Sequence, residues 1–310
     1  MIDIVITYVY ERDKKWTQEF NYYKQKEILE KKAEKTNRQA FGVERTREWD
    51  ILKYWFRAVE KNCSWVNKIF LVVQNERHIP KWLDKSNPKL RIVFHDEYIP
   101  KELLPTFNAM PIGFYISNIK DLSNNYIMCD DDYYFLNKIE KDRFFKENKP
   151  VHKDNQVPYK KFDTMAINGV FWEILNNDLD FEYKITGKEI KYGIYHLPEA
   201  RIKEYEQDIL NKYAEEIKEH FITSKFRHKT NLCSYMFSDL LKIEGKAILN
   251  DPYTNCRYVS LKSDIDFNEY ANNDIVCFND TEILDDYNLT KKKLIEFLEK
   301  KFPEKSSYEV

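Results

Sequence analysis

Three adjacent carboxylates, Asp130-Asp131-Asp132, follow the apolar stretch Asn125-Tyr-Ile-Met-Cys129. Adjacent anions repel, so such a cluster is tolerated in water or beside a cation. A hard divalent ion takes oxygen ligands, and a diphosphate needs such an ion to neutralise its charge. A solvated acidic turn would have the same composition, so position decides. In open α/β sheets ligands bind at the carboxyl ends of strands, and the cluster falls at one. Four other motifs could face the same ligand. His196, in His196-Leu-Pro198, sits where a strand-like segment gives way to a helical one, and suits a general base or a phosphate contact. Alone it would read as an ordinary histidine. Arg227, in Ser224-Lys-Phe-Arg-His228, offers a planar fork for phosphate oxygens or a plain basic turn. Asn279-Asp280 ends the apolar run from Ile275 and could bring a further carboxylate to the same metal. Thr106 or Asn108, in Leu104-Pro-Thr-Phe-Asn108, could cap a helix and aim its amides at an anion. There is no P-loop, GxSxG or HExxH pattern, and no GxGxxG after a strand.

These residues need elements to hold them. Ile2 to Val9, Lys68 to Asn75, Leu90 to His95 and Asn125 to Cys129 are short apolar runs that suit strands buried on both faces. Helical spacing fills the gaps: Trp16 to Lys35, Glu48 to Lys61 and Met110 to Leu122. Strand alternating with helix predicts an α/β fold. Its core would be a mostly parallel Rossmann-like (GT-A-like) sheet with flanking helices and a more helical C-terminal half. After Pro150 the spacing predicts loops and a hairpin turning at Thr186-Gly187-Lys188. It then predicts a helix from Glu199 to Phe221, one capped by Thr230 through Leu241, and one capped by Thr290 that stops before Pro303. Without repeats or linkers, residues 1–310 read as a single catalytic domain, with 151–250 a hairpin and helical subregion within it.

The chain has 310 residues, 43% apolar, enough for a substantial core. A formal net charge of -2 lacks the basic surplus of a general nucleic-acid binder. The five cysteines form no CxxC pair and read as reduced. No apolar run reaches the ~18 residues of a membrane span, and the N-terminus lacks a signal-peptide pattern. A cytoplasmic protein is expected. Peripheral contact with membrane-bound machinery at the inner membrane face, through partners or Lys291-Lys-Lys293 and Lys300-Lys301, is the variant of that expectation.

In this order the motifs resemble the Stealth family. These are the hexose-1-phosphate transferases of bacterial capsule synthesis, together with the lysosomal-enzyme GlcNAc-1-phosphotransferase. The resemblance covers most of the chain in four blocks: Ile2 to Val9; Arg47 to Phe135; His196-Leu-Pro198 through Phe226-Arg-His228; and Val276-Cys-Phe-Asn-Asp280 through Phe302-Pro303. Departures stand beside it. The first block continues Tyr8-Val9-Tyr10-Glu11 in place of Trp-Val-Asp/Asn-Gly. Asp130 stands for the usual Asn before the aspartate pair. Ala109 and Pro111-Ile-Gly113 replace the residues that usually follow Leu-Pro-Thr-Phe-Asn.

The resemblance implies transfer of a sugar with its proximal phosphate from a UDP-sugar to a hydroxyl of a glycan or lipid-linked oligosaccharide, releasing UMP. It implies that Asp131, Asp132 and Asp280, with Asn279, hold Mg²⁺ (or Mn²⁺) on the diphosphate. Arg227 would stabilise the non-bridging oxygens, and His196 would take the acceptor proton or contact phosphate. Asp3, Thr7 and Arg57 would lie near the nucleotide, and Asn108 near the sugar. Two other readings fit the residues. Asp130-x-Asp132 is a literal DxD, so a metal-dependent glycosyltransferase would move the sugar alone and release UDP. A non-catalytic glycan-binding relative would keep the site without turnover.

Overall fold

The computed structural model describes residues 1–32, 38–164, 169–281 and 284–310. The four apolar runs form strands β1 (Ile2–Thr7), β2 (Ile69–Val73), β3 (Leu90–Phe94) and β4 (Asn125–Cys129). They lie parallel in the order β3-β2-β1-β4. A fifth strand, β10 (Glu199–Ile202), adds antiparallel to β4 at the other edge. This is the expected Rossmann-like α/β sheet. Alternate side chains leave its two faces. Ile4, Ile6, Leu71 and Ile127 enter one core, and Val5, Phe70, Val72 and Tyr126 the other.

The first core is closed by helix α2 (Leu52–Asn62), the C-terminal helix α8 (Tyr287–Lys301) and a second sheet. That sheet joins β5 (Tyr133–Phe135), antiparallel, to β13 (Ile275–Asn279), which runs parallel to β12 (Cys256–Ser260). Asp130-Asp131-Asp132 is thus the link by which the chain leaves one sheet at β4 and enters the other at β5. Helix α1 (Lys14–Leu29) follows β1, with Asp13 as its cap. The second core is covered by α3 (Ala109–Phe114), α4 (Val170–Thr186), α5 (Lys203–Lys212), α6 (Ala214–Ile222) and α7 (Tyr235–Ile243). A small sheet of β6 (Phe145–Lys146), β7 (Lys149–His152) and β11 (Ile248–Leu249), and a ribbon of β8 (Gln156–Val157) with β9 (Lys191–Tyr192), complete the fold.

Several local expectations are corrected. The first arm of the predicted hairpin is the end of helix α4, while its second arm holds β9, which pairs with β8. Gly187 closes the helix in the left-handed region at φ +66°, donating its N–H to Tyr183 O at 2.7 Å. A tight turn and a helix C-cap both need positive φ, so one Gly signal fits either. The helix predicted from Glu199 begins as strand β10 and then breaks into α5 and α6 at Tyr213. Ser234 stands at the N-cap of α7, while Thr230 instead donates to His220 O. Asp286 caps α8, and Thr290 lies inside it. Met110 to Leu122 holds only the short α3, capped by Asn108, and a 3₁₀ turn. The end of the helix expected over Trp16 to Lys35 falls partly outside the described residues.

Candidate active site

The acidic link lies at the carboxyl ends of the parallel strands. Ile6 pairs with Cys129, so Thr7 and Asp130 leave the sheet side by side. Across the second sheet Cys277 pairs with Tyr133, and Phe278 N–H donates to Asp132 O at 2.9 Å. That ladder carries Asn279 and Asp280 toward the same rim. Two families of strands therefore converge on one cluster of carboxylates.

His196 faces the cluster. Its Nε2 is 3.8 Å from Asp130 Oδ2 and 3.8 Å from Asp132 Oδ2. Its Nδ1 is 3.0 Å from the Tyr133 hydroxyl and 2.9 Å from the Tyr235 hydroxyl. Tyr133 donates its single proton to Asp130 Oδ2 at 3.1 Å. It can then accept from Nδ1–H, which makes Nε2 the nitrogen that exchanges a proton at the rim. Burial opposes charging His196, but the Asp132 carboxylate, as acceptor and as charge, and then the field of Asp130 outweigh it and raise its pKa. The rim is wet: side-chain exposure is 40% at Asp130, 24% at Asp132 and 36% at His196.

The carboxylates strain against one another. Burial, Asp132, Asp130 and the nearby Glu48 push the Asp131 pKa well up, and burial with Asp132 raises Asp130. Asp132 Oδ2 accepts from Cys277 Sγ at 3.3 Å, whereas its Oδ1 is buried with no hydrogen-bond partner. Unmatched negative charge and an orphaned carboxylate oxygen fit a cation. Asp132, His196 and Cys277 can present three ligand atoms within 4.8 Å of one another. A hard ion would favour the oxygen side of this rim, supplied by Asp131 and Asp132.

Positive charge stands opposite. Arg227 carries a buried Nε without a hydrogen-bond partner. Burial and then Arg45 lower its pKa to about 9, so it remains a cation at neutral pH. Arg45, in the 3₁₀ turn Val43–Arg45, feels Asp130, its neighbour Glu44, Asp132 and Asp131 as its counter-charges. Two guanidinium groups that repel each other beside a carboxylate cluster suit a ligand with several anionic oxygens held through a metal.

The other expected residues divide. Thr7 is at the rim. Asn108 is buried: it caps α3, and its Nδ2 donates to Phe226 O at 3.0 Å and Asn231 Oδ1 at 2.7 Å, bracing the segment that carries Arg227. Asn279 donates to Asp280 O. Asp280 is corrected from an open metal ligand: Arg47 binds both its oxygens at 2.8 and 2.6 Å, and Trp49 Nε1 donates to it at 3.0 Å. Asp3 lies near the amino end of β1, at the end opposite the cluster. It is fully buried, accepting from Asn67 Nδ2, Lys68 N–H and Ser123 N–H. Arg57 makes a buried double contact with Glu309 at 2.7 and 2.8 Å and donates to Phe302 O. Neither is available to a nucleotide at the rim. Arg45, Tyr133, Tyr235 and Cys277 also line the site, and none of them stood out as a site residue in the sequence. Tyr133 was adjacent to the cluster, and only a fold could have recruited the others.

A sequence model described as Stealth protein CR2, conserved region 2, matches residues 45–153. The capsular polysaccharide phosphotransferase WcwK of Streptococcus pneumoniae is 30% identical over 99% of this chain and 98% of its own. The receptor polysaccharide phosphotransferase WefC of Streptococcus gordonii is 28% identical over 100% and 99%. The exopolysaccharide phosphotransferase cps2G of Lactiplantibacillus plantarum is 24% identical over 99% and 96%.

Proposed function

The chain belongs to the Stealth family, and from that premise we propose that it is a polysaccharide phosphotransferase that uses a UDP-sugar. A glycan or lipid-linked hydroxyl oxygen bonds to the sugar-proximal phosphorus, the bond from that phosphorus to the bridging oxygen breaks, and UMP leaves. The product is a phosphodiester. His196 Nε2 takes the hydroxyl proton, with Tyr133 and Tyr235 fixing the ring. Arg227 and Arg45 bind the non-bridging oxygens. Asp131 and Asp132 hold Mg²⁺ or Mn²⁺, which when bound neutralises the diphosphate. Phosphoryl transfer asks the protein chiefly for position and charge.

One observation carries this reading: His196 Nε2 sits 3.8 Å from two carboxylates, and one of them, Asp130, is also a counter-charge of Arg227, whose buried Nε has no hydrogen-bond partner. A base, a cation site and an anion site occupy one wet edge. The DxD pair of Asp130 and Asp132 also suits plain glycosyl transfer, which gives a different nucleotide. Incubation with a panel of UDP-sugars, Mg²⁺ and glycan acceptors separates them. UMP and an acceptor heavier by a hexose-phosphate are expected; UDP and an added hexose would replace the proposal with the glycosyltransferase.

A further inference from the structure

His196 is flanked by an aromatic side chain that the transfer chemistry does not use. Tyr258 lies on β12 directly across from Cys277 of β13, whose sulfur touches Asp132. Residues paired this way share a sheet face, so Tyr258 stands on the side of the acidic rim. Its ring centroid is 5.8 Å from that of His196, with the planes at 70°. Yet 51% of Tyr258 is exposed. Tyr22 and Tyr183 are also exposed tyrosines, at 62% and 49%. Among the described residues, Tyr258 is the one of these three in ring contact with a site residue.

An aromatic ring offers a flat, electron-rich face to weakly positive C–H groups. A pyranose presents such C–H groups on one face and hydroxyls around its edge. We propose that Tyr258 is the platform for the acceptor sugar, the pyranose whose hydroxyl is phosphorylated; this rests on the phosphotransferase reading. A sugar lying on the open part of the ring has its edge beside His196, where the hydroxyl proton must go. The donor diphosphate is assigned to the charged side of the rim, leaving this apolar side to the acceptor.

The test uses the full chain with octyl β-galactoside and octyl β-glucoside as acceptor probes, and with methyl galactoside and methyl glucoside for saturation-transfer NMR. Tyr258→Ala should raise the acceptor KM roughly 5- to 10-fold with kcat largely kept, and should weaken the NMR transfer. Tyr258→Phe and Tyr258→Trp should restore both. Unchanged glycoside binding in Tyr258→Ala overturns the platform. So does a fall in kcat alone that Phe does not rescue. If the wild type binds glycosides through Tyr258 but releases no UMP from any donor, the phosphotransferase reading fails while the sugar platform stands.

Discussion

His196 is restrained on both sides of its ring. Two tyrosine hydroxyls meet Nδ1, and two aspartates draw charge toward Nε2. A positioned base of this kind contributes about 10²- to 10⁴-fold to a rate. His196→Ala should therefore cut UMP release by about 10²-fold or more while donor binding by equilibrium dialysis persists. Turnover within severalfold of wild type would remove His196 from the chemistry. Asp131 and Asp132 stood out in the sequence because they follow an apolar run, whereas His196 and Arg227, ordinary on their own, were marked by the order of the family's motifs. Arg45, Tyr235 and Cys277 were not legible, since each acts across a contact made only when the sheets assemble. At Asp3 and Arg57 the first and second sequence blocks mark burial instead. Arg57 ties α2 to the C-terminal segment through Glu309, and Asp3 gathers the backbone at the amino ends of the strands.

Edge strand β10 shows how an element can carry a titration. Glu199 is buried on it, accepts from Ser238 and lies 3.6 Å from Arg201. Burial lifts its pKa from 4.5 to about 7. The folded chain then holds a proton that the unfolded chain releases across that window. Its contribution, about 3 kcal/mol at most, is present below pH 4.5 and lost as pH rises toward 7. Burial works oppositely on His78, His95 and His152, depressed to about 4, 3 and 3, whose stabilisation is lost as pH falls below 6.5. The two trends overlap, so the difference between variants isolates Glu199. Denaturant unfolding of Glu199→Gln from pH 5 to 7 should gain on the wild type as pH rises; parallel curves would mean Glu199 is ionised throughout. Strand β10 was hidden in the sequence because Ala200 and Ile202 lead without a break into the helical pattern of α5. The buried parallel strands were legible because both faces demand apolar residues.

At the scale of the molecule, the acidic link is also a joint. It connects the sheet ending at β4 with the sheet beginning at β5, and each sheet belongs to the core that α2 and α8 close. Carboxylates that raise one another's pKa at such a joint oppose folding in the absence of a cation. Neutralising one should therefore stabilise the metal-free protein, even as it removes function. A divalent ion that binds the folded chain alone adds RT ln(1 + [L]/Kd), about 2.7 kcal/mol at a hundredfold excess over Kd. Mg²⁺ or Mn²⁺ should thus raise the wild-type Tm by a few degrees, continuing to climb with the logarithm of concentration. Asp131→Asn with Asp132→Asn should start from a higher metal-free Tm and stay flat. Ordinary salt also weakens repulsion between exposed charges, so the comparison is made in NaCl of matched ionic strength. A rise that NaCl reproduces, or that survives in the double variant, would leave the acidic link as a solvated turn without a specific metal.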